Sequence, residues 1–139
     1  MQTYEVQMRR ESAQQVIART RDLSLTLGAK RGDLEAGFNP VETLLSALGA
    51  CLLTALQMVA ELSRVPVTGM AIHLTGVRQD QPPQLVSVTY QLTIHTDAAE
   101  ERLRRLVATA QRNSTVYQTL ALAIPVSGTV VRIDEAATI

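Results

Sequence analysis

A long apolar segment, residues 44–60, constrains the fold of this chain more than any other feature. It follows Asn39 and Pro40, residue types that favour the N-cap and the first position of a helix, and Pro66 prevents the helix from continuing much further. Its polar interruptions are Ser46, Thr54 and Gln57. Because of them, we expect the segment to fall short of a membrane-spanning helix. A helix that is apolar on most sides is expected to be buried centrally or packed against another subunit.

The remaining segments show strand-like alternation or helical periodicity. In chain order they are a hairpin of residues 4–9 and 16–27, a loop at 28–38, the long helix, strands around 70–74 and 86–94, a helix from Asp97 with Glu100 completing a capping box, a short helix or turn at 114–122, and a strand at 126–133. The order ββ-α-ββ-α-(short α)-β predicts an α+β fold of antiparallel strands with two main helices. A chain of 139 residues suits a single domain.

Composition excludes several classes of partner. The formal net charge is +0 and no basic stretch runs along the chain, so we expect neither nucleic acid nor a membrane as a partner. Cys51 is the single cysteine, which excludes an internal disulfide and gives no sign of an oxidising compartment. The amino-terminal residues lack the apolar stretch of a signal peptide, so we expect a soluble protein in the cytoplasm.

The start of the long helix carries a specific motif. Residues 39–51 read Asn-Pro-Val-Glu-Thr-Leu-Leu-Ser-Ala-Leu-Gly-Ala-Cys. The spacing Asn-Pro-x-Glu…Leu-Gly-x-Cys resembles the signature of the OsmC/Ohr family, the osmotically inducible and organic-hydroperoxide-resistance proteins. The resemblance extends upstream to a strand and a glycine-containing loop, and downstream to a strand pair, a charged helix and the segment at 114–120. It implies one OsmC-like domain over residues 1–139, with antiparallel sheets around two central helices, in an entwined homodimer that needs no cofactor.

The resemblance also implies thiol-dependent reduction of organic or inorganic hydroperoxides, with Cys51 attacking the peroxide. In the family a second cysteine then closes a disulfide, but Ser114 occupies its position here. A hydroxyl cannot form that bond. We therefore expect a one-cysteine peroxidase whose sulfenic acid is reduced by an external thiol or redox protein. Two alternatives stay open: a non-enzymatic dimer that binds a small apolar ligand, and a structural dimer in which Cys51 is an ordinary core residue.

An active Cys51 requires a nearby cation. It lies about three turns into the helix, where the helix dipole helps little, and its apolar neighbours disfavour a charged thiolate. The resemblance implies an arginine from the amino-terminal strands, for which Arg9 and Arg10 come first and Arg21 next, held by a glutamate, for which Glu42 is the candidate. At about 100° per residue, Glu42 and Cys51 lie on opposite faces of one helix. Glu42 would then act from the partner subunit or through an irregular helix start, unless it serves the helix start alone.

Metal and hydrolase chemistry have little support. His73 and His95 fall on the polar phase of their strands, without further ligands at metal-binding spacing, so no metal site is expected. Ser114 lacks a Gly-x-Ser-x-Gly elbow and a positioned histidine, so a helix junction is the expected role of this serine.

Overall fold

The structure is a computed structural model that describes residues 1–134. The chain forms two compact units, Met1–Leu44 and the part that begins at Leu45. The first unit contains the amino-terminal sheet, the loop after it and the start of the long helix. The second unit contains the rest of that helix, a second sheet and two further helices.

The sheet of the first unit has three antiparallel strands in the order β1-β2-β3: β1 (Gln7–Arg10), β2 (Gln15–Thr20) and β3 (Leu23–Gly28). The prediction of a single strand over 16–27 is therefore wrong, although the antiparallel pairing is confirmed. The chain reverses at Arg21, which adopts a left-handed conformation with φ of 53°. No glycine or proline marks this turn, in which residues 19–22 read Arg-Thr-Arg-Asp. Leu27 is the buried hydrophobic residue of this unit.

Helix α1 (Pro40–Leu62) begins where the motif predicts. The side chain of Asn39 accepts a hydrogen bond from the backbone N–H of Glu42 at 2.8 Å. The carboxylate of Glu42 in turn accepts from the backbone N–H of Asn39 at 3.0 Å, which completes a capping box. The helix ends at Leu62. Arg64, two residues later, has a left-handed φ of 54°, and the N–H of Val65 donates back to the carbonyl of Ala60 at 2.9 Å.

By length and composition α1 meets the criteria for a membrane-spanning helix, with a mean hydropathy of 1.8, so the expectation that its polar residues exclude it from that class is wrong. The core helix of a soluble protein meets the same criteria. Only 39% of the 18-residue apolar stretch of α1 is buried within this chain, so much of the helix surface is not covered by the same chain.

The sheet of the second unit has the order β4-β5-β6: β4 (Gly69–Gln79), β5 (Gln84–His95) and β6 (Val126–Ile133). The strands β4 and β5 are antiparallel, but β5 and β6 are parallel, so the prediction of exclusively antiparallel strands is wrong. The physical reason is the connection. Two helices lie between β5 and β6 and carry the chain back, so that β6 enters the sheet in the direction of β5.

Those helices are α2 (Glu100–Arg112) and α3 (Thr115–Ala121). The predicted start of α2 at Asp97 is wrong, because the N-cap is Ala99, without a side-chain cap. Thr96, directly after β5, holds the residues that precede α2. Its hydroxyl donates to the carbonyl of Pro66 at 2.7 Å and accepts from the N–H of Ala98 at 3.2 Å. Of the two forms predicted for 114–122, a short helix or a turn, the structure has the helix, α3, with Ser114 as its N-cap.

The core of the second unit lies between α1, α2 and one face of β5. Its buried side chains include Leu48, Leu52 and Leu56 of α1, Val88, Tyr90, Leu92 and Ile94 of β5, and Leu103, Leu106 and Val107 of α2. Gly49 lets α1 approach the sheet closely, since a Cβ there would lie 2.9 Å from Cδ1 of Leu74. Cys51 lies two residues beyond this point of close packing on α1.

Candidate active site

Cys51 is a free, partly buried thiol on α1. Its neighbour Leu52 and, one turn away, Leu48 and Ala55 belong to the core. An ordinary core cysteine would be enclosed by such residues on every side. Cys51 instead keeps part of its surface exposed, and its sulfur has a polar neighbour.

That neighbour is Ser114, which lies 63 residues later in the chain. The Ser114 hydroxyl donates a hydrogen bond to Sγ of Cys51 at 3.1 Å. Ser114 has 0% relative exposure, so this donor is shielded from water. The structure therefore places Ser114 against the sulfur of Cys51, where the resemblance puts a second cysteine.

The position of Ser114 is determined by the junction of α2 and α3. Its N–H donates to the carbonyl of Gln111 at 3.2 Å, and its carbonyl accepts from the N–H of Gln118 at 2.9 Å. Its hydroxyl oxygen also accepts from the N–H of Tyr117 at 3.4 Å, the N-cap contact of α3. Backbone and side chain are thus both engaged, which leaves the hydroxyl little freedom to turn away from Cys51.

The other candidate site residues lie in the first unit and make local contacts there. Arg9 on β1 forms a salt bridge with Glu11 at 2.9 Å, and both side chains are exposed. Nε of Arg10 donates to the carbonyl of Ser12 at 3.0 Å. Glu42 takes part in the capping box of α1. The helix-start role of Glu42 is therefore observed, whereas a role of Arg9, Arg10 or Glu42 at Cys51 stays a prediction.

A feature that sequence reasoning missed is a groove of about 390 Å³ between α2 and the β5–β6 edge. Tyr90 lies at its base, and the amide of Gln111 donates a hydrogen bond to the phenol oxygen. Burial raises the pKa of Tyr90; the bond from Gln111 opposes this rise, and the nearby Tyr117 adds to it. Gly128 leaves space for the Tyr90 ring, because a Cβ there would overlap it. Only the strand pairing, which sets Gly128 opposite Tyr90, could reveal this contact.

Within residues 1–134 no group of three or more histidine, cysteine, aspartate or glutamate side chains is placed to hold a metal ion.

The family model for OsmC-like protein matches residues 30–128, a region that contains both Cys51 and Ser114. The chain belongs to the OsmC-like protein family. This confirms the family that the motif at residues 39–51 predicted.

Known relatives agree with this membership. A hydroperoxide reductase of Mycoplasma pneumoniae is 24% identical over 100 residues, which cover 69% of this chain and 71% of the relative. An OsmC-like protein of Mycoplasma pneumoniae of known structure has a TM-score of 0.88 at 20% identity, over 95% of this chain and 98% of the other. An organic hydroperoxide resistance protein OsmC of Legionella pneumophila has a TM-score of 0.75 at 19% identity, over 94% and 98%. At these identities the structural likeness shows the fold, and the predicted α+β OsmC-like fold is confirmed.

Proposed function

We propose that this OsmC-like protein reduces hydroperoxides through a single peroxidatic cysteine, Cys51. Family membership and the relative named as a hydroperoxide reductase support this class of activity. The observation that carries the proposal is the hydrogen bond from the buried Ser114 hydroxyl to the sulfur of Cys51, a residue that is itself only partly buried. A partly buried thiol whose sulfur has a hydrogen-bond donor suits a nucleophile better than a purely structural side chain does.

The first half-reaction is a displacement at oxygen. The thiolate of Cys51 attacks the terminal oxygen of a hydroperoxide, ROOH, so that an S–O bond forms while the O–O bond breaks. The alkoxide that leaves takes a proton from the solvent and becomes the alcohol. The sulfur has lost two electrons and is a sulfenic acid, while the peroxide has gained them.

The second half-reaction needs thiols from outside the chain, because Cys51 is its single cysteine. A first thiol, RSH, condenses with the sulfenic acid to form a mixed disulfide and water. A second thiol attacks the mixed disulfide, releases the Cys51 thiolate and leaves as RSSR. Thiols or a dithiol redox protein supply the two electrons.

The working form in this proposal is a homodimer in the cytoplasm. Apolar side chains that this chain leaves exposed support dimerisation, namely Tyr4, Val6, Met8, Leu23 and Leu25 in the first unit and Leu44, Met58 and Leu62 on α1. Exposed apolar surface of this extent is typical of a protein–protein contact. A second copy provides a further source for the arginine that activates Cys51, with Arg9 and Arg10 as candidates.

The experiment that tests the proposal compares the wild-type chain with Cys51→Ser. Each protein is mixed with cumene hydroperoxide and with hydrogen peroxide in the presence of dithiothreitol, and peroxide loss is followed over time. We expect the wild type to turn over and Cys51→Ser to fall to the uncatalysed rate with an unchanged circular dichroism spectrum. Equal turnover in the two proteins would refute a peroxidatic Cys51.

A binding protein without peroxidase activity is the second candidate, favoured by the groove of about 390 Å³ beside Tyr90. The size of the groove falls in the range of small-molecule sites, and Leu103, Val107 and Val130 contribute apolar surface to it. A binding function predicts that Cys51 oxidises no faster than free glutathione and that an apolar fluorescent dye binds the folded protein. The substitution Val107→Glu would then weaken dye binding, with the exposed Thr115→Ala as the control.

A further inference from the structure

We propose that the Ser114 hydroxyl is a catalytic hydrogen-bond donor to the reacting sulfur, which supports the negative charge of the Cys51 thiolate and of the sulfenate that follows. This rests on the proposed function of Cys51. It gives Ser114 a role that differs from that of a resolving thiol. The residue gives up no electrons and forms no bond to sulfur, but it touches the atom at which the chemistry occurs.

The direction of the hydrogen bond follows from the contacts of Ser114. A serine hydroxyl has one proton to donate and lone pairs that accept. The oxygen accepts the N–H of Tyr117, which keeps a lone pair turned toward the start of α3. The proton is then available to Sγ of Cys51, the acceptor that the structure gives for this hydroxyl, at 3.1 Å.

Burial makes this donor effective. Ser114 has 0% relative exposure, so water does not compete for its proton. A hydrogen bond to a charged group is stronger than one between neutral groups, and it gains further when the surroundings have a low dielectric constant. The hydroxyl therefore favours the thiolate over the neutral thiol, and it favours the sulfenate over the sulfenic acid for the same reason.

The same contact sets the fate of the oxidised sulfur. A thiol at this distance would condense with the sulfenic acid and expel water, but a hydroxyl does not. The sulfenate consequently persists, held by Ser114, until an external thiol reaches the exposed side of Cys51. In this proposal the sulfenate is stabilised by Ser114, and its reduction depends on an external thiol.

The size of the expected effect follows from hydrogen-bond energetics. A hydrogen bond to a charged group shifts an equilibrium by about tenfold to a hundredfold. On a logarithmic scale, about half of that gain in thiolate is offset in the reaction rate, because a stabilised thiolate is a weaker nucleophile. Removal of the hydroxyl should therefore slow the oxidation of Cys51 at neutral pH by about three- to tenfold.

The test uses the reduced full-length protein and three variants. Ser114→Ala removes the hydroxyl, and Ser114→Gly does the same with less loss of helix capping, since glycine is a tolerable N-cap. Thr119→Ala is the matched control, because it removes another hydroxyl from α3, one that donates to the carbonyl of Thr115 at 2.8 Å. The measured quantities are the rate constant with cumene hydroperoxide, the ultraviolet absorbance of the thiolate at neutral pH, and the lifetime of the sulfenic acid trapped with dimedone.

We expect both Ser114 variants to lose thiolate absorbance, to oxidise about three- to tenfold more slowly and to form a shorter-lived sulfenic acid, while Thr119→Ala matches the wild type. Unchanged absorbance, rate and lifetime in folded Ser114→Gly would overturn the proposal and leave Ser114 as a helix cap. Failure of the proposed function is a separate result. A wild-type protein that does not consume peroxide would refute that function, while the thiolate absorbance would still report whether Ser114 acts on the sulfur.

Discussion

The substitution Ser114→Cys should convert this protein from a one-cysteine to a two-cysteine mechanism. Ser114 Oγ lies 3.1 Å from Sγ of Cys51, and a disulfide needs a sulfur–sulfur distance of about 2.05 Å. The two side chains must therefore approach by about 1 Å, which small side-chain rotations supply. After Cys51 is oxidised, the new thiol attacks the sulfenic acid, expels water and closes the bond.

The magnitude follows from the loop that the bond would close. Because the two positions are 63 apart in the sequence, the chain-entropy model gives about 4 kcal/mol of stabilisation for the oxidised over the reduced variant. Strain in the new bond would lower this value. We therefore expect the free energy of unfolding in urea to rise on oxidation by up to about 4 kcal/mol and to return when dithiothreitol is added.

The assay treats the reduced variant with one equivalent of cumene hydroperoxide and measures the intact mass under denaturing conditions. A disulfide shows as the loss of two hydrogen atoms and of both free thiols, whereas the wild type gains one oxygen atom. Thr115→Cys is the matched control, because the next residue is exposed and its thiol should leave Cys51 as a sulfenic acid. A Ser114→Cys variant that gains oxygen and keeps its second thiol would refute the placement of Ser114 against the sulfur.

Three further predictions concern positions away from this contact. Gly128→Ala should lower the free energy of unfolding by about 3 kcal/mol, since the new methyl group overlaps the Tyr90 ring; urea denaturation measures this. Above pH 10.0, the wild type should lose stability as the pH rises, because its buried Tyr90 holds its proton longer than the unfolded chain does, and Tyr90→Phe should flatten that decline. Asn39→Ala should lower the free energy of unfolding by about 1 kcal/mol, because it removes the cap of α1. Glu42→Gln should keep the capping box and leave that free energy within about 0.5 kcal/mol of the wild-type value. It should slow Cys51 oxidation, because the neutral amide no longer holds the activating arginine by charge.

Each of these has a result that would contradict it. Thr129→Ala, on the exposed face of β6, serves as the control for Gly128→Ala, and equal stability of the two variants would count against the ring contact. The sign for Tyr90 follows from its raised pKa: the stability due to the neutral phenol is complete below the unfolded pKa and is lost as the pH rises through the folded pKa. An identical alkaline decline in Tyr90→Phe would contradict it. An unchanged oxidation rate in Glu42→Gln would leave Glu42 as a helix cap alone.

Much of the fold was predictable because local residues encode it. The capping residues Asn39 and Glu42 begin α1, Ser114 begins α3, and β6 forms over the predicted residues 126–133. The failures have local explanations too. The turn at Arg21 carries no glycine or proline, and α2 begins three residues late because Thr96 ties the preceding backbone to Pro66. The predicted single domain over 1–139, the dimer and the cytoplasmic location stay predictions.

The sequence by itself determined the family, the order of the elements from α1 onward and the identity of Cys51 as the reactive candidate, because a motif and a hydrophobic period are local properties of the chain. Tertiary structure decided the rest. The direction of β6 depends on how α2 and α3 return the chain, and the groove beside Tyr90 depends on the pairing with Gly128. The contact of Ser114 with Cys51 joins residues 63 positions apart, so it exists only once α1 and the α2–α3 junction pack together. The packing of these elements, rather than a local sequence pattern, therefore determines which side chain contacts the sulfur of Cys51.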